Sequence, residues 1–166
     1  MKLMILTISF LFAFSASAKF QAAYIDMQAA IQGTSAGKNA KSKLEKEFNK
    51  KKDQLKKKEG KLKQEADEFQ KKSSVLSEKA RNEKQAALQK KMFEFQQELQ
   101  QSQMNIQKKE RELTQPILEK IQKVIAKVAK DKGYDMVFEK NTQSVMWAKT
   151  DLDITKAVIK EFEKTK

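Results

Sequence analysis

Cysteine and histidine are both absent from the sequence, which also has only one proline and four glycines in 166 residues. Without cysteine there is no disulfide and no catalytic thiol, and without histidine the commonest metal ligand and general base is missing. No glycine-rich phosphate loop occurs, and the Ser-His-Asp, HExxH and CxxC patterns cannot be formed from these residues. We therefore expect a protein that is not an enzyme and that has no catalytic, metal-binding or cofactor-binding residues.

Helix breakers are scarcest between residues 38 and 132, which hold one glycine, Gly60, and one proline, Pro116. Apolar residues recur there at steps of three, four or seven, the periodicity of a helix with a heptad-like seam. The seam residues are Leu44, Phe48, Leu55, Leu62, Ala66, Phe69 and Leu76, followed by Leu88, Met92, Phe95, Leu99, Ile106 and Leu113. We predict two helices that pack as a long antiparallel hairpin, a coiled-coil-like arm over residues 38–112.

A polar break at residues 71–77 separates the two predicted helices, and Ser73, Ser74 or Ser77 is expected to cap the second. Thr34 or Ser35 is the expected cap of the first helix. A helix of some 35 residues, at 1.5 Å per residue, gives an arm of roughly 50 Å. Such an arm is longer than a compact domain needs, so the rest of the chain should form its base.

Residues 1–18 have the pattern of a secretory signal peptide. Lys2 supplies a positive charge, residues 3–14 are almost all apolar, and Ala16-Ser17-Ala18 offers a cleavage site. The apolar run is too short to span a bilayer stably. We predict Sec-type export and a mature chain from Lys19, which in a cell with two membranes implies a periplasmic location.

Residues 19–37 and 113–166 are predicted to form a small α+β body. Its helices are one turn that Gly33 ends, a core-facing helix from Ile117 to about Gly133, and a last helix capped by Asp151 or Asp153. The predicted strands cover residues 20–27, 134–139 and 144–148, with the hairpin turn at residues 140–143. Three short strands leave unpaired sheet edges, and arms with a thin seam cannot bury themselves, so we expect a symmetric homo-oligomer.

Pro116 marks the place where the arm should meet the body. Inside a helix it would remove one backbone hydrogen bond and bend the axis. Alternatively, Thr114 caps a new helix with Pro116 in its first turn. Either arrangement makes Pro116 a candidate hinge.

The formal net charge of +13 is concentrated in residues 38–63, which carry twelve lysines and four acidic residues. Some lysines have acidic residues four positions before them, as Glu47 precedes Lys51. Nonspecific binding of nucleic acid is one alternative, but only Arg81 and Arg111 are arginines, and an exported chain would not meet nucleic acid physiologically. A structural coiled-coil adaptor of the cell envelope is another alternative, although the seam of the first helix is lean for a permanent rod.

Several short segments of the mature chain, taken in order, resemble one known family. They are Ala23-Tyr24-Ile25-Asp26-Met27, Ser35-x-Gly37-Lys38-x-Ala40-x-x-x-Leu44-Glu45, Gln115-Pro116-Ile117-Leu118-x-Lys120-Ile121, Val128-Ala129-Lys130-x-x-Gly133-Tyr134-Asp135-Met136-Val137, and Asp153-Ile154-Thr155-x-x-Val158-Ile159-Lys160. In this order, behind a signal peptide and around a lysine-rich hairpin, the chain resembles the Skp (OmpH) family of periplasmic chaperones.

The resemblance implies a homotrimer with a small β body and three arms that enclose a cavity. It also implies ATP-independent holding of unfolded outer-membrane β-barrel proteins, and some relatives contact lipopolysaccharide or a membrane surface through basic clusters. The expected client-contact residues are Lys50, Lys51, Lys57, Lys58, Phe69, Val75, Leu76, Met92, Phe93 and Phe95. The expected trimer-body residues are Tyr24, Ile25, Met27, Met136, Phe138, Val145 and Trp147. Phe93 lies one position off the seam and should point away from the partner helix.

Overall fold

The structure, a computed structural model, describes residues 20–141 and 145–165. The predicted signal peptide therefore lies outside the described residues. The elements in chain order are β1 (Ala22–Ile25), α1 (Met27–Gly33), α2 (Ser35–Lys72), a 3-10 turn (Ser73–Val75), α3 (Glu78–Lys132), β2 (Met136–Glu139), a second 3-10 turn (Thr150–Leu152) and α4 (Thr155–Lys164).

Helices α2 and α3 pack against each other along the arm, which confirms the predicted helical hairpin. Helix α2 begins three residues before the predicted arm, because the Thr34 side chain accepts a hydrogen bond from the Gly37 N–H at 3.0 Å. Helix α3 begins after Ser77, whose hydroxyl accepts from the Ala80 N–H at 3.3 Å. With 38 residues, α2 is about 57 Å long.

Gly37 allows α2 to start directly against α1. A Cβ at this position would lie 1.8 Å from the carbonyl oxygen of Ile31, so no residue with a side chain fits without moving the backbone. Ala40, one turn further along α2, is also buried. These two small residues fix the root of the arm against the body.

Helix α3 continues without a break through Pro116 and runs from the arm into the body. The alternative in which Thr114 caps a new helix is therefore wrong. The Thr114 hydroxyl instead donates to the Glu110 carbonyl oxygen at 2.8 Å, within one helix. Because proline has no N–H, the Glu112 carbonyl loses its usual helical donor at this point. Gly133 ends the helix in the left-handed conformation with φ of 71°, as its position predicted.

The sheet of the body has two parallel strands, β1 and β2, with Ala22 opposite Met136 and Ile25 opposite Glu139. The whole arm lies between these strands in the sequence. The other edge of β1 is met at one point, where Tyr24 forms a parallel bridge with Asp153 and accepts a hydrogen bond from the Ile154 N–H at 2.9 Å.

The predicted third strand at residues 144–148 is not found in the described part of that segment. Residues 145–148 are irregular, and the predicted turn at residues 140–143 lies partly outside the described residues. The Val145 N–H bonds to the Asn141 carbonyl at 3.2 Å, which bends the chain away from an extended course. Met146 and Trp147 are 95% and 81% exposed, so these apolar side chains lie in solvent and not against the sheet.

The hydrophobic core lies where α3, α4, α1 and β1 meet. Ile121 and Val158 are completely buried there, and Ile154 and Phe162 nearly so. The Asp153 carboxylate accepts from the Thr155 N–H at 2.8 Å at the start of that helix. In residues 20–141 and 145–165, no helix is both long enough and apolar enough to cross a bilayer.

Candidate functional site

The arm surface carries large apolar side chains that the hairpin leaves in solvent. Phe48, Met92 and Phe93 are 52%, 52% and 60% exposed, and Val75, at the tip of the arm, is 82% exposed. The exposure of Phe93 agrees with its position off the seam. Phe69, Leu76 and Phe95, by contrast, are half-buried between the helices. The predicted client-contact residues thus divide into exposed groups and groups that hold the hairpin together.

The four predicted contact lysines divide in the same way. Lys50 and Lys57 are exposed to solvent, and neither forms an ion pair within the described residues. Lys51 and Lys58 both bind the Glu98 carboxylate of α3, at 2.8 and 2.5 Å. Hydrogen bonds from Lys51 and Lys58 lower the pKa of Glu98 to about 2.

A second ion pair, between Lys91 of α3 and Glu65 of α2 at 2.6 Å, joins the two helices nearer the tip. Sequence spacing favoured a pair between Glu47 and Lys51 within α2, whereas Lys51 reaches across the arm to Glu98 instead. Cross-helix ion pairs supplement the thin apolar seam in this part of the arm.

A cleft of about 910 Å³ opens between α2 and α3 midway along the arm. We call it the arm cleft. Its apolar lining is Phe48, Leu55, Phe95, Leu99 and Ile106, and its polar lining is Lys51, Lys52, Lys56, Glu59, Ser102, Gln103 and Gln107. Among these residues only Lys51 and Phe95 were predicted contact residues. The other apolar residues of the lining belong to the predicted seam, but a seam pattern does not indicate an opening between the helices.

The predicted trimer-body residues differ in their burial. Tyr24 and Ile25 are buried, Met27 and Val145 are half-buried, and the others are exposed. The exposed members are Met136, Phe138 and Trp147. Phe138, Val145 and Trp147 line, together with Tyr24, a shallow apolar recess of about 530 Å³.

Helix α4 attaches to the roots of both arm helices, an arrangement that the sequence analysis did not predict. The Glu163 carboxylate accepts two hydrogen bonds from Ser35 at the start of α2. On the other side, Glu161 binds Lys127 of α3 at 2.6 Å. Hydrogen bonds from Lys127 and Lys164 lower the pKa of Glu161 to about 2. Charged contacts to α4 thus join both arm helices to the body.

Within residues 20–141 and 145–165, no group of three or more acidic side chains is placed to hold a metal ion. Hydrogen bonds from lysine partners lower the pKa values of Glu98 and Glu161, which is typical of structural ion pairs. The arrangement offers apolar contact surface and solvent-exposed positive charge.

Comparison with known proteins agrees with this architecture. The chain shares its fold with the crystal structure of a protein from Caulobacter crescentus CB15 described as an outer membrane chaperone (OmpH-like). The TM-score is 0.76 at 20% identity, over 89% of this chain and 86% of the other. None of the curated protein sequences compared matches significantly. The model of the family "Outer membrane protein (OmpH-like)" matches residues 21–162, so the helical arm and the small body together belong to one family unit. The chain is a member of the OmpH-like family.

Proposed function

We propose that this protein is an ATP-independent periplasmic holdase that binds unfolded outer-membrane β-barrel proteins between the arms of a homotrimer. The observation that carries the proposal is the surface of the arm, where exposed Phe48, Met92 and Phe93 stand among lysines. A soluble monomeric protein rarely exposes such a set without a partner. The membership of the OmpH-like family supports the same reading.

The contacts that the arm offers suit a partner without fixed shape. An unfolded β-barrel chain presents apolar side chains that alternate with polar ones, and it must be shielded without being folded. Half-exposed groups such as Met92 and Phe93 give weak apolar adhesion at many points. Lysines such as Lys50 and Lys57, which project into solvent, attract acidic segments over about a Debye length, roughly 8 Å at physiological salt.

The body supports a symmetric assembly. Its two-stranded sheet is too small to be stable by itself, and the far edge of β2 has no strand partner in the described chain. Met136 and Phe138 are 47% and 42% exposed, and Trp147 is 81% exposed beside them. Residues 145–148, which remain irregular in one chain, would gain a partner strand if β2 of a second copy lay next to them. A trimer would then cover these apolar groups and place three arms around one cavity.

Suppression of aggregation tests the proposal. A urea-unfolded outer-membrane β-barrel protein is diluted with the mature chain at three protomers per client, without nucleotide, and light scattering is followed. We expect scattering to fall strongly, and adding ATP should change nothing. Scattering equal to that of the client alone would contradict the proposed function.

A further inference from the structure

The arm cleft is a defined apolar recess within an otherwise exposed contact surface. Phe48 and Leu99 are 52% and 38% exposed although both belong to the seam, because the hairpin has no third layer to cover them here. The volume of about 910 Å³ falls in the range of roughly 300–1,000 Å³ found for sites that bind ligands, and the lining is largely apolar with a few polar groups.

The dimensions of the arm cleft suit an extended peptide. Along α2 it runs from Phe48 to Glu59, which is about 16 Å at the helical rise of 1.5 Å per residue. An extended chain covers this distance with about five residues at roughly 3.3 Å each. Since side chains alternate along a strand, two or three of the five would face the apolar lining and the others would face away from it.

Charge at the cleft favours acidic residues beside those apolar ones. Three lysines and one glutamate line it, and Lys51 is engaged by Glu98. Lys52 and Lys56 are exposed and form no ion pair within the described residues. They lie four positions apart, so they stand on one side of α2 about one turn from each other.

We infer that the arm cleft is the docking groove for one extended client segment of about five residues, in which apolar side chains alternate with acidic ones. Phe48 and Leu99 contact the apolar side chains, and Lys52 and Lys56 bind the outward carboxylates. The inference rests on the proposed holdase function and adds the place and the sequence pattern that the arm selects. Apolar residues elsewhere on the arm, such as Phe93, contribute adhesion without this selection.

The test uses the full mature chain and a labelled nine-residue peptide in which leucine alternates with glutamate. Affinity is measured by fluorescence anisotropy for the wild type, for Phe48→Ser, and for Phe20→Ser as the matched control, since both phenylalanines are more than half exposed and Phe20 lies outside the arm. We expect Phe48→Ser to weaken binding about tenfold, the loss expected for one buried phenylalanine contact, and Phe20→Ser to leave it nearly unchanged.

A second pair of variants does not depend on apolar packing. Lys52→Glu with Lys56→Glu reverses two charges at the cleft, and Lys43→Glu with Lys46→Glu makes the same change at exposed lysines of α2 outside it. The first pair should abolish most of the binding and the second should reduce it only slightly. A peptide of the same composition with leucines and glutamates in separate blocks should bind weakly.

The outcomes separate this inference from the proposed function. If the wild type suppresses client aggregation but the cleft variants bind the peptide as well as their controls do, the docking groove is wrong and the holdase function stands. If the wild type neither suppresses aggregation nor binds the peptide, both fail. Equal binding of the alternating and the block peptide would also overturn the inference.

Discussion

Glu163 of α4 caps the first turn of the arm: its carboxylate accepts a hydrogen bond from the Ser35 N–H at 2.6 Å and from the Ser35 hydroxyl at 2.8 Å. The two residues are 128 positions apart. The N-terminus of a helix carries partial positive charge, so a carboxylate there is favourable. Two hydrogen bonds lower the pKa of Glu163: the one from the Ser35 backbone has the larger effect, and the one from the Ser35 side chain has the next largest.

Replacing Glu163 by glutamine should lower the melting temperature by a few degrees at neutral pH, because the charge at the start of α2 is lost while the shape is kept. The pKa of Glu163 is lowered in the folded state, so its charge stabilises fully above the unfolded pKa of 4.5. This contribution disappears as the pH falls through the lowered pKa. The difference between wild type and variant should therefore shrink from pH 6 to pH 3 in thermal unfolding followed by circular dichroism. Glu83→Gln, at an exposed carboxylate outside this contact, serves as the control, and an equal effect of both variants would refute the capping role.

Glu98 should hold the middle of the arm closed. Glu98→Gln removes the charge that Lys51 and Lys58 share, so backbone amides of α2 near these lysines should exchange with deuterium faster. Glu94→Gln, which loses only a 4.0 Å contact to Lys90, should have little effect. Because the pKa of Glu98 falls from 4.5 to about 2 on folding, its contribution is complete above pH 4.5 and is lost between that pH and about 2. Unchanged exchange in the Glu98 variant would show that the ion pairs do not hold the hairpin.

Core and arm should differ in their sensitivity to truncation. Ile121 is completely buried in the body, and its replacement by alanine should cost about 2–5 kcal/mol of unfolding free energy. Leu62 is half-buried in the arm seam, so its replacement by alanine should cost clearly less unfolding free energy. Urea titration followed by circular dichroism measures both changes. Losses of similar size would indicate that the arm is packed as tightly as the body.

The secondary structure and the body core followed from local patterns, because helix caps and apolar periodicity act over a few residues. Thr34, Ser77 and Gly133 lie at the helix ends that their residue types predicted. The Lys51–Glu98 and Ser35–Glu163 contacts, by contrast, join positions 47 and 128 residues apart. Their formation depends on how distant elements align, and the sequence pattern of each element carries no information about that alignment.

The segment from Val145 to Ala148 shows that a local pattern can favour an element that the chain does not form. Its apolar residues favour a strand, but a strand forms only when another backbone is available beside it.

The arm cleft could not be predicted from the sequence for a related reason. A regular seam predicts contact between helices, whereas the opening beside Ser102 depends on how far apart the helices lie.

Pro116 is predicted to act as the hinge between arm and body. Pro116→Ala restores a helical hydrogen bond to the Glu112 carbonyl and removes a residue that costs about 3 kcal/mol in a helix interior, so the melting temperature should rise. The absence of native cysteine allows spin labels at Ser74→Cys and Lys156→Cys. The distribution of distances between them should narrow in the Pro116 variant and not in Gln115→Ala. Identical distributions would show that the arm does not bend there.

The mass of the complex with a client is the most direct test of the central claim that three arms hold one unfolded chain. The mature protein and a urea-unfolded outer-membrane β-barrel protein are mixed, diluted and passed through size-exclusion chromatography with multi-angle light scattering. The account predicts a soluble complex with the mass of three protomers and one client. A protein that elutes as a single chain, with the client left in the aggregated fraction, would contradict it.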